Sequence, residues 1–211
     1  MVGRFQLAWA EVDLAAASDL GIPVVRRFTG GGAVYHDPGN LNVTLVARRD
    51  SRLLTGSGPG LPALYRAVLE PLGAAVADLG LDIDRTERDL LVGGRKVSGV
   101  AAWLGREAAL VHATLLVDAD LDLLARVLSG PGASGDRRWE RTRSRRMPVT
   151  TITRELGATA ALDNGAIDRR VAAAFGAAAS RTVSPSGDEL SMAARLVASR
   201  YGVASWHANG C

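Results

Sequence analysis

The chain has 211 residues, of which 47% are hydrophobic and 22% charged, a composition typical of a globular protein that buries a core without disulfides or a structural metal. Its one cysteine, Cys211, is the last residue, which excludes an intrachain disulfide and a cysteine-based zinc site. No run of 18 apolar residues occurs, and the residues after Met1 form no apolar signal core, so we expect a cytoplasmic protein without a membrane span.

Strands are predicted mainly in the first half of the chain and helices in the second. Apolar residues between turn residues predict strands at 24–28, 33–36, 41–47, 90–92, 96–104 and 108–117. Helical apolar spacing predicts helices at 11–20, 61–79, 121–128, 150–156, 167–179 and 189–199. This order favours an α+β fold, in which helices cover a mixed or antiparallel β-sheet, over a doubly wound sheet.

The basic residues are one lysine, Lys96, and 24 arginines, and the formal net charge is +3. A lone lysine in an arginine-rich chain is a candidate for chemistry that a planar guanidinium does not perform, although chance explains it equally well. The modest positive charge fits an acidic protein, a phosphate ligand or nucleic acid and does not choose among them. Several arginines fall in 129–146, a Gly- and Pro-rich stretch that we predict to be a mobile, solvated loop.

Residues 26–37 form the densest candidate binding motif, with the sequence Arg-Arg-Phe-Thr-Gly-Gly-Gly-Ala-Val-Tyr-His-Asp. Three consecutive glycines let the backbone approach a ligand closely, and their N–H groups are able to form an anion-binding nest. The two preceding arginines supply positive charge for a phosphate or carboxylate. The motif has neither P-loop nor Gly-x-Gly-x-x-Gly spacing, and a glycine hairpin with surface arginines is the structural alternative.

A second glycine-rich motif, at 93–101, contains Lys96. Small residues surround the lysine at the start of a predicted strand, where a ligand is able to lie flat on the backbone. An exposed lysine in a glycine-rich hairpin is the alternative. Two glycine-rich basic segments in one small chain favour a bound phosphate ester.

The three histidines, His36, His112 and His207, do not indicate a metal site. No two of them have helical i, i+4 spacing, and no cysteine joins them. His112 alternates with apolar residues, a pattern more typical of an inward-facing polar residue than of a catalyst. Ser98 and His112 are able to form part of a Ser-His-Asp triad, but no nucleophile-elbow sequence surrounds the serine.

The two glycine-rich motifs resemble those of the lipoate–protein ligase A family, within the wider group of biotin and lipoate ligases. The resemblance is carried by four segments in the order of the family: 26–40, 89–101, 112–121 and 142–146. It extends from Val2 to about Thr153. It implies that 1–211 forms a single domain with the biotin/lipoate ligase catalytic fold, and that 129–146 is a mobile loop that covers an adenylate.

The resemblance implies a two-step ligation that consumes ATP. Lipoate attacks the α-phosphorus of ATP to give lipoyl-AMP and pyrophosphate, and a lysine of a lipoyl carrier domain then takes the acyl group. Octanoate is an alternative acid, and the implied carriers are lipoyl domains of 2-oxoacid dehydrogenases or the carrier protein of glycine cleavage. Mg²⁺ is expected with ATP, with unknown ligands, and neither nucleic acid nor a membrane is an expected partner.

The resemblance also implies which residues bind and react. Lys96 is the catalytic residue, whose ammonium bridges the lipoate carboxylate and the α-phosphate. The residues implied in ATP and adenylate binding are Arg27, Gly32, Ala33, Val34, Tyr35, Asp89 and Lys96. Those implied in lipoate binding are Gly30, Gly31, His36, Lys96, Gly99 and His112.

The sequence departs from the family pattern at three places. Glu87 and Arg88 precede Asp89 where the family has Arg-Asn. The first strand and helix of the family are not found, and no C-terminal accessory domain follows. We therefore expect an N-terminally truncated relative with a separate accessory protein in place of the missing domain.

Three alternatives stay open. An octanoyl- or lipoyltransferase of the same fold uses an internal cysteine, whereas this chain has only the terminal Cys211. A biotin ligase has a Gly-Arg-Gly-Arg type of loop where this chain has three glycines. A non-catalytic module that binds lipoyl-adenylate or carrier domains fits the missing N-terminal segment, but the presence of Lys96 and Arg27 argues against it.

Overall fold

The computed structural model describes residues 1–51, 60–130, 143–157, 164–176 and 183–209. The chain divides into two compact units. The first comprises Met1–Tyr35, Ala125–Ser144 and Ala179–Cys211, and the second comprises His36–Leu124 and Arg145–Ala178. The loop predicted at 129–146 falls mostly on 131–142, outside the described residues. It stays a prediction, as does the single-domain interpretation of 1–211.

Short helices come first along the chain, strands follow, and helices return after the last strand. The strands are β1 (Asn40–Arg48), β2 (Asp84–Arg85), β3 (Asp89–Val92), β4 (Arg95–Leu104) and β5 (Ala108–Leu116). The helices are α1 (Ala8–Glu11), α2 (Leu14–Asp19), α3 (Leu61–Ala77), α4 (Leu121–Val127), α5 (Ile152–Leu156), α6 (Asn164–Ala174), α7 (Gly187–Leu196) and α8 (Ala204–Asn209), with a π-helical turn at Val197–Tyr201. Within these described ranges, no helix is long and apolar enough to cross a membrane.

The second unit is built on a five-stranded sheet. Its strand order is β1-β5-β4-β3-β2, and every neighbouring pair is antiparallel. Helix α3 packs its apolar side against the sheet, and the buried residues of this core include Leu69, Leu72, Leu90, Leu115 and Ile167. The prediction of an α+β fold, with helices on a mixed or antiparallel sheet, is therefore confirmed in its antiparallel form.

The first unit has a small apolar core of its own and a buried arginine. The core consists of Val2, Ala8, Val12, Ala17 and Val127. The guanidinium of Arg26, 2% exposed, donates to backbone oxygens of Gly3, Arg4, Gln6, Trp206, His207 and Ala208. The last three oxygens belong to the final turn of α8, where helix geometry leaves carbonyls unpaired, so Arg26 caps this helix.

Two predicted strands, at 24–28 and 33–36, are wrong. Pairing in the first is limited to one parallel bridge between Val2 and Arg26, and the second has no strand. Strand pairing ends there because the glycines that follow turn back around the side chain of Arg27, which donates hydrogen bonds to their backbone oxygens.

The helix predicted at 11–20 is instead the pair α1 and α2. The chain is extended at Val12, and the carboxylate of Asp13 accepts a hydrogen bond from Ala16 N–H at 2.9 Å, which starts a new helix. Sequence reasoning also missed β2 and α8. The other predicted strands and helices are confirmed where the structure describes them, with shifts of a few residues at their ends.

Candidate functional site

The glycine loop, residues 28–35, folds around the side chain of Arg27, which is 8% exposed. The guanidinium donates to Thr29 Oγ1 at 3.0 Å, to the Gly30 oxygen at 2.6 Å and to the Gly32 oxygen at 2.7 Å. Burial lowers the pKa of Arg27 to about 10, still well above neutral, so the side chain stays charged. Its Nη1 is buried without a partner among the described residues. A buried cationic donor is costly unless it meets an acceptor, so Nη1 suits an anionic ligand.

Ala33 and Val34, both implied in adenylate binding, have backbone amides that already donate to partners inside the first unit. Ala33 N–H donates to Ser144 Oγ at 2.7 Å, and Val34 N–H donates to the Met1 oxygen at 2.9 Å. Gly32 packs directly on the serine, because a Cβ at Gly32 would lie 2.9 Å from Ser144 Oγ. Phosphate binding by these amides stays a prediction.

Lys96 forms an ion pair with Asp89 in the second unit. Lys96 Nζ lies 2.5 Å from Asp89 Oδ1, and the two side chains are 29% and 10% exposed. Thr86 holds the aspartate, because its Oγ1 accepts a hydrogen bond from Asp89 N–H at 3.0 Å and donates to Asp89 Oδ2 at 3.3 Å. The ammonium is therefore fixed in position and still reachable from solvent.

A β-bulge sets the direction of the lysine side chain. The pairing of β3 with β4 shifts between Leu90 and Leu91, and the extra residue of β4, Val97, is fully buried. The bulge leaves Lys96 on the same face as Gly99. A Cβ at position 99 would lie 2.5 Å from Lys96 Nζ and 2.7 Å from its Cε. Glycine at this position lets the lysine lie across the strand and reach its partner.

The segment before α5 holds the backbone of the lysine. Lys96 N–H donates to the Pro148 oxygen at 2.8 Å, and Thr150 N–H donates to the Lys96 oxygen at 3.0 Å. The adjacent Arg95 pairs with Glu155 of α5, with Nη2 2.7 Å from Oε2. Hydrogen bonds from Arg95 and then from Thr150 hold the pKa of Glu155 below its ordinary value. These contacts fix the strand on which Lys96 stands.

The sheet face that carries Lys96 also carries His112. In the register of β4 with β5, Ala101 lies opposite His112, and Gly99 lies opposite Thr114. Because positions 99 and 101 have almost no side chain, the face beside the lysine is flat. Of the residues implied in lipoate binding, Lys96, Gly99 and His112 thus share one face of the second unit.

Ser98 and His112 point to opposite faces of the sheet. Ser98 lies opposite Leu115, which is fully buried in the core, whereas His112 is three positions from Leu115 on β5. Side chains alternate along a strand, so an odd separation places them on different faces. The Ser-His-Asp triad considered from the sequence is therefore excluded.

The other predicted site residues lie along the glycine loop and just after it. Gly30 lies against the ring of Phe5. Gly31 is exposed with a φ of 86°, in the left-handed region that glycine favours. Tyr35 is buried and His36 is exposed. Arg27, Gly30 and Gly32 are thus brought together in the first unit, while His36 belongs to the second.

Asp37, the last residue of the first motif, has a structural role. Its Oδ1 accepts a hydrogen bond from Gly39 N–H at 2.9 Å, and its Oδ2 accepts one from Asp120 N–H at 2.8 Å. Gly39 packs so tightly on the backbone of Asp118 that a Cβ would overlap it. These contacts join the start of β1 to the start of α4.

The described residues do not form a metal site. Across these ranges, no three His, Cys, Asp or Glu side chains come together as metal ligands. Asp89, the acidic residue of the lysine motif, is already paired with Lys96. Within the described part of the chain, the side chains therefore do not fit an Mg²⁺ ion held by the protein.

Sequence reasoning missed a polar cluster formed by Gln6, Glu11 and Ser144. Gln6 Nε2 donates to Ser144 Oγ at 3.1 Å, and Ser144 N–H donates to the Glu11 carboxylate at 3.1 Å. Glutamate and glutamine in an apolar N-terminal stretch are a signal that buried partners exist. The partner stands 133 positions beyond Glu11, a separation that no local pattern reveals.

Solved lipoate–protein ligases share this fold over nearly the whole chain. A bi-partite lipoate protein ligase from Thermoplasma acidophilum, described with its E2 lipoyl domain, is 28% identical with a TM-score of 0.77, over 99% of this chain and 79% of that one. A lipoate-protein ligase A bound with ATP is 27% identical with a TM-score of 0.78, over 99% and 81%. The fold is that of a lipoate ligase catalytic domain.

The chain belongs to the family of lipoyl protein ligase A/B catalytic domains, whose pattern matches residues 1–176. The lipoate-protein ligase A subunit 1 of Thermoplasma acidophilum is 37% identical over 142 residues, 62% of this chain and 52% of that protein. The human mitochondrial lipoyl amidotransferase is 37% identical over 135 residues, 62% of this chain and 33% of that protein. The family resemblance is confirmed, and the chain spans about half or less of these relatives.

Proposed function

We propose that this chain is the catalytic part of an ATP-dependent lipoate–protein ligase, which activates lipoate as lipoyl-AMP and transfers the lipoyl group to a lysine of a carrier domain. The observation that carries the proposal is the position of the one lysine, paired with Asp89 above Gly99 on a flat sheet face. Family membership and the similarity to a ligase solved with ATP support it.

Lys96 supplies the charge that the first step needs. An oxygen of the lipoate carboxylate attacks the α-phosphorus, the bond to the bridging oxygen breaks, and pyrophosphate leaves with the electron pair. Two anionic groups must approach each other, so a fixed cation lowers the barrier most where their charge concentrates. The ammonium has three N–H donors and Asp89 accepts from it, so donors remain for the carboxylate and the α-phosphate.

The glycine loop and Arg27 supply the phosphate contacts in this proposal. The buried Nη1 donor of Arg27 and its retained charge suit a phosphoryl oxygen. The remaining adenylate contacts are assigned to Gly32, Ala33, Val34, Tyr35 and Asp89. The lipoyl contacts are assigned to Gly30, Gly31, His36, Gly99 and His112, as the resemblance implies.

The second step needs no bond to this protein. The neutral amine of the carrier lysine attacks the acyl carbon of lipoyl-AMP, the acyl–oxygen bond breaks, and AMP leaves while the amine proton passes to solvent. A covalent route would need an internal cysteine, and the only cysteine of the sequence is Cys211. Direct transfer from the adenylate fits these residues.

The proposed partners are lipoate or octanoate, a lipoyl carrier domain and a second polypeptide. The archaeal relative is described as bi-partite and together with its E2 lipoyl domain, and another relative is named a subunit. We infer the same arrangement here, with cytoplasmic carriers of the 2-oxoacid dehydrogenase or glycine-cleavage type.

Intact-mass measurement of a lipoyl domain tests the proposal. The domain is incubated with the purified chain, lipoate and ATP, with and without any small protein that co-purifies with the chain. We expect a lipoyl adduct on one lysine that requires both ATP and lipoate. Unmodified domain in every mixture, together with intact binding of lipoyl-AMP, would favour the non-catalytic module.

The rival activity is amide or acyl transfer without activation, which the human amidotransferase relative makes a specific alternative. A transferase would modify the domain from preformed lipoyl-AMP or a lipoylated protein but not from lipoate and ATP. Cys211→Ser should leave the ligase activity unchanged, and a large loss would revive the cysteine-dependent route.

A further inference from the structure

The hydroxyl of Ser144 has both of its acceptor positions filled. Ala33 N–H donates to Ser144 Oγ at 2.7 Å, and Gln6 Nε2 donates to it at 3.1 Å. A serine hydroxyl has two lone pairs and one O–H donor. Since both lone pairs are used, the hydroxyl proton must point away from these two groups. In the described part of the chain it has no acceptor.

Ser144 is held firmly in this position. Its own N–H donates to the carboxylate of Glu11, which is 6% exposed. Gln6, 3% exposed, is fixed in turn because its Oε1 accepts a hydrogen bond from Gly3 N–H at 2.8 Å. Gly32 packs on the serine with no room for a Cβ. The direction of the hydroxyl proton is therefore set by the protein before any ligand arrives.

Ser144 itself is only half-buried, so a ligand is able to reach its hydroxyl. The same unit holds a second donor without a partner among the described residues, the buried Nη1 of Arg27, and both side chains bond to the glycine loop. A buried cationic donor without a partner and a fixed hydroxyl within reach of a ligand, both bonded to the same loop, suit an acceptor with negative charge, because charge-assisted hydrogen bonds are the stronger ones.

We propose that Ser144 is a further ligand-binding residue, which donates its hydroxyl proton to a phosphoryl oxygen of the acyl-adenylate. The proposal rests on the proposed function and names one residue and one bonding atom within 129–146, the segment that the resemblance assigns to covering an adenylate. In this arrangement Ala33 N–H fixes the serine hydroxyl, so the adenylate contact assigned to Ala33 is made through Ser144.

The opposite role for Ser144 is a plug that occupies the amide of Ala33 until a phosphate displaces it. The two roles predict opposite effects on adenylate binding when the serine hydroxyl is removed. Removal of a donor weakens adenylate binding, whereas removal of a plug frees the amide and strengthens it. If Ser144 had a purely structural role, its removal would weaken the binding of every ligand of the loop alike.

The test is calorimetric titration of the wild type, Ser144→Ala and Ser144→Cys with two ligands: lipoate alone, and a stable lipoyl-adenylate in which a sulfamate replaces the phosphate. We expect Ser144→Ala to bind the adenylate analogue about ten- to a hundredfold more weakly and lipoate as the wild type does. Ser144→Cys keeps the shape of the side chain with a weaker donor, so its affinity for the analogue should lie between those of the wild type and Ser144→Ala. Ser186→Ala, which removes a hydroxyl that caps α7 in the same unit, should change neither affinity.

Equal or tighter binding of the analogue by Ser144→Ala would overturn the proposal in favour of the plug. Parallel losses for both ligands would overturn it in favour of a structural role. If Ser144→Ala does not fold, wild-type affinity of Ser144→Cys for the analogue would overturn it as well. A wild type that binds neither ligand would instead contradict the proposed function.

Discussion

The buried cations Arg26 and Arg27 differ from Lys96 in the groups that they bind. Arg26 and Arg27 spend most of their donors on backbone carbonyls, which suits a planar group with five fixed N–H donors. Lys96 contacts one carboxylate and stays 29% exposed. A compact ammonium on a flexible stem is able to sit among several ligand oxygens, which suits the role proposed for the one lysine of a chain with 24 arginines.

Lys96→Arg should abolish adenylation although it keeps the charge. The guanidinium is larger and planar, and it has to occupy a position that is already crowded above Gly99. The expected loss is about 3–4 kcal/mol of transition-state stabilisation, or hundreds-fold in rate. Single-turnover pyrophosphate release measures it, and a rate within about threefold of the wild type would remove Lys96 from its catalytic role.

Gly99→Ala should also impair adenylation, because it displaces the Lys96 ammonium without changing its chemistry. The new Cβ would meet Lys96 Nζ and Cε and push the ammonium away from Asp89. A displacement of about 1 Å costs about a hundredfold in rate. Adenylation kinetics and thermal unfolding are measured together. Gly187→Ala is the matched control, because a Cβ there meets nothing within 4 Å. Unchanged kinetics in Gly99→Ala would show that the lysine does not depend on this close approach.

At the scale of elements, α5 stabilises the strand that carries the lysine. Glu155 accepts hydrogen bonds from Arg95 and Thr150, and its side chain is 13% exposed. These bonds lower the pKa of Glu155 in the folded state. A carboxyl whose pKa is lower in the folded state stabilises the protein fully at pH values above its unfolded-state pKa of 4.5. This stabilisation is lost as the pH falls through the folded-state pKa.

Glu155→Gln should therefore destabilise the protein by about 1 kcal/mol at pH 7 and by progressively less in acid. Thermal unfolding of wild type and variant at a series of pH values from neutral to acidic measures the difference. Asp50→Asn, which removes the exposed Arg48–Asp50 pair, should show no comparable difference. A gap between Glu155→Gln and wild type that stays constant down to acidic pH would contradict the assigned ion pair.

The regular elements of the second unit were readable from the sequence because their signals are local. Apolar residues on either side of Gly105 and Arg106 predicted β4 and β5, and helical apolar spacing predicted α3, which covers them. The same reasoning failed at 24–28 and 33–36, where apolar residues resemble strands but lie in a segment wrapped around an arginine. A side chain that takes backbone carbonyls as partners leaves no trace in apolar spacing.

Part of the candidate site could be predicted from the sequence for the same reason. Lys96, Gly99 and His112 come from local motifs, and the register of β4 with β5 follows from their hairpin. The bulge at Val97 that aims the lysine, and the contact of Ser144 with a loop 111 positions away, depend on long-range packing. Neither the bulge nor this contact produces a pattern of residue spacing that can be recognised in a single sequence.

On the scale of the whole molecule, the chain covers only part of its relatives. It spans 52% of the archaeal ligase subunit and 33% of the human amidotransferase. The family pattern ends at residue 176, although the described residues continue through α7 and α8. We therefore propose that carrier recognition involves a second polypeptide, whereas the groups proposed for adenylation lie within this chain.

Transfer to an acidic lipoyl domain should be sensitive to salt. The chain carries a formal net charge of +3, and attraction between exposed opposite charges is largely screened beyond about 8 Å at physiological ionic strength. We expect the KM for the carrier to rise severalfold as sodium chloride increases from about 50 to about 300 mM, with lipoyl-AMP formation unchanged. A KM that does not respond to salt would show that charge does not guide the carrier.

The most direct test of the central claim is pyrophosphate release by the chain alone, measured with ATP and lipoate and with each omitted in turn. If Lys96 activates lipoate as proposed, release requires both substrates and needs neither carrier nor partner. Release that proceeds without lipoate, or none at all from a folded chain that binds lipoyl-AMP, would contradict the account.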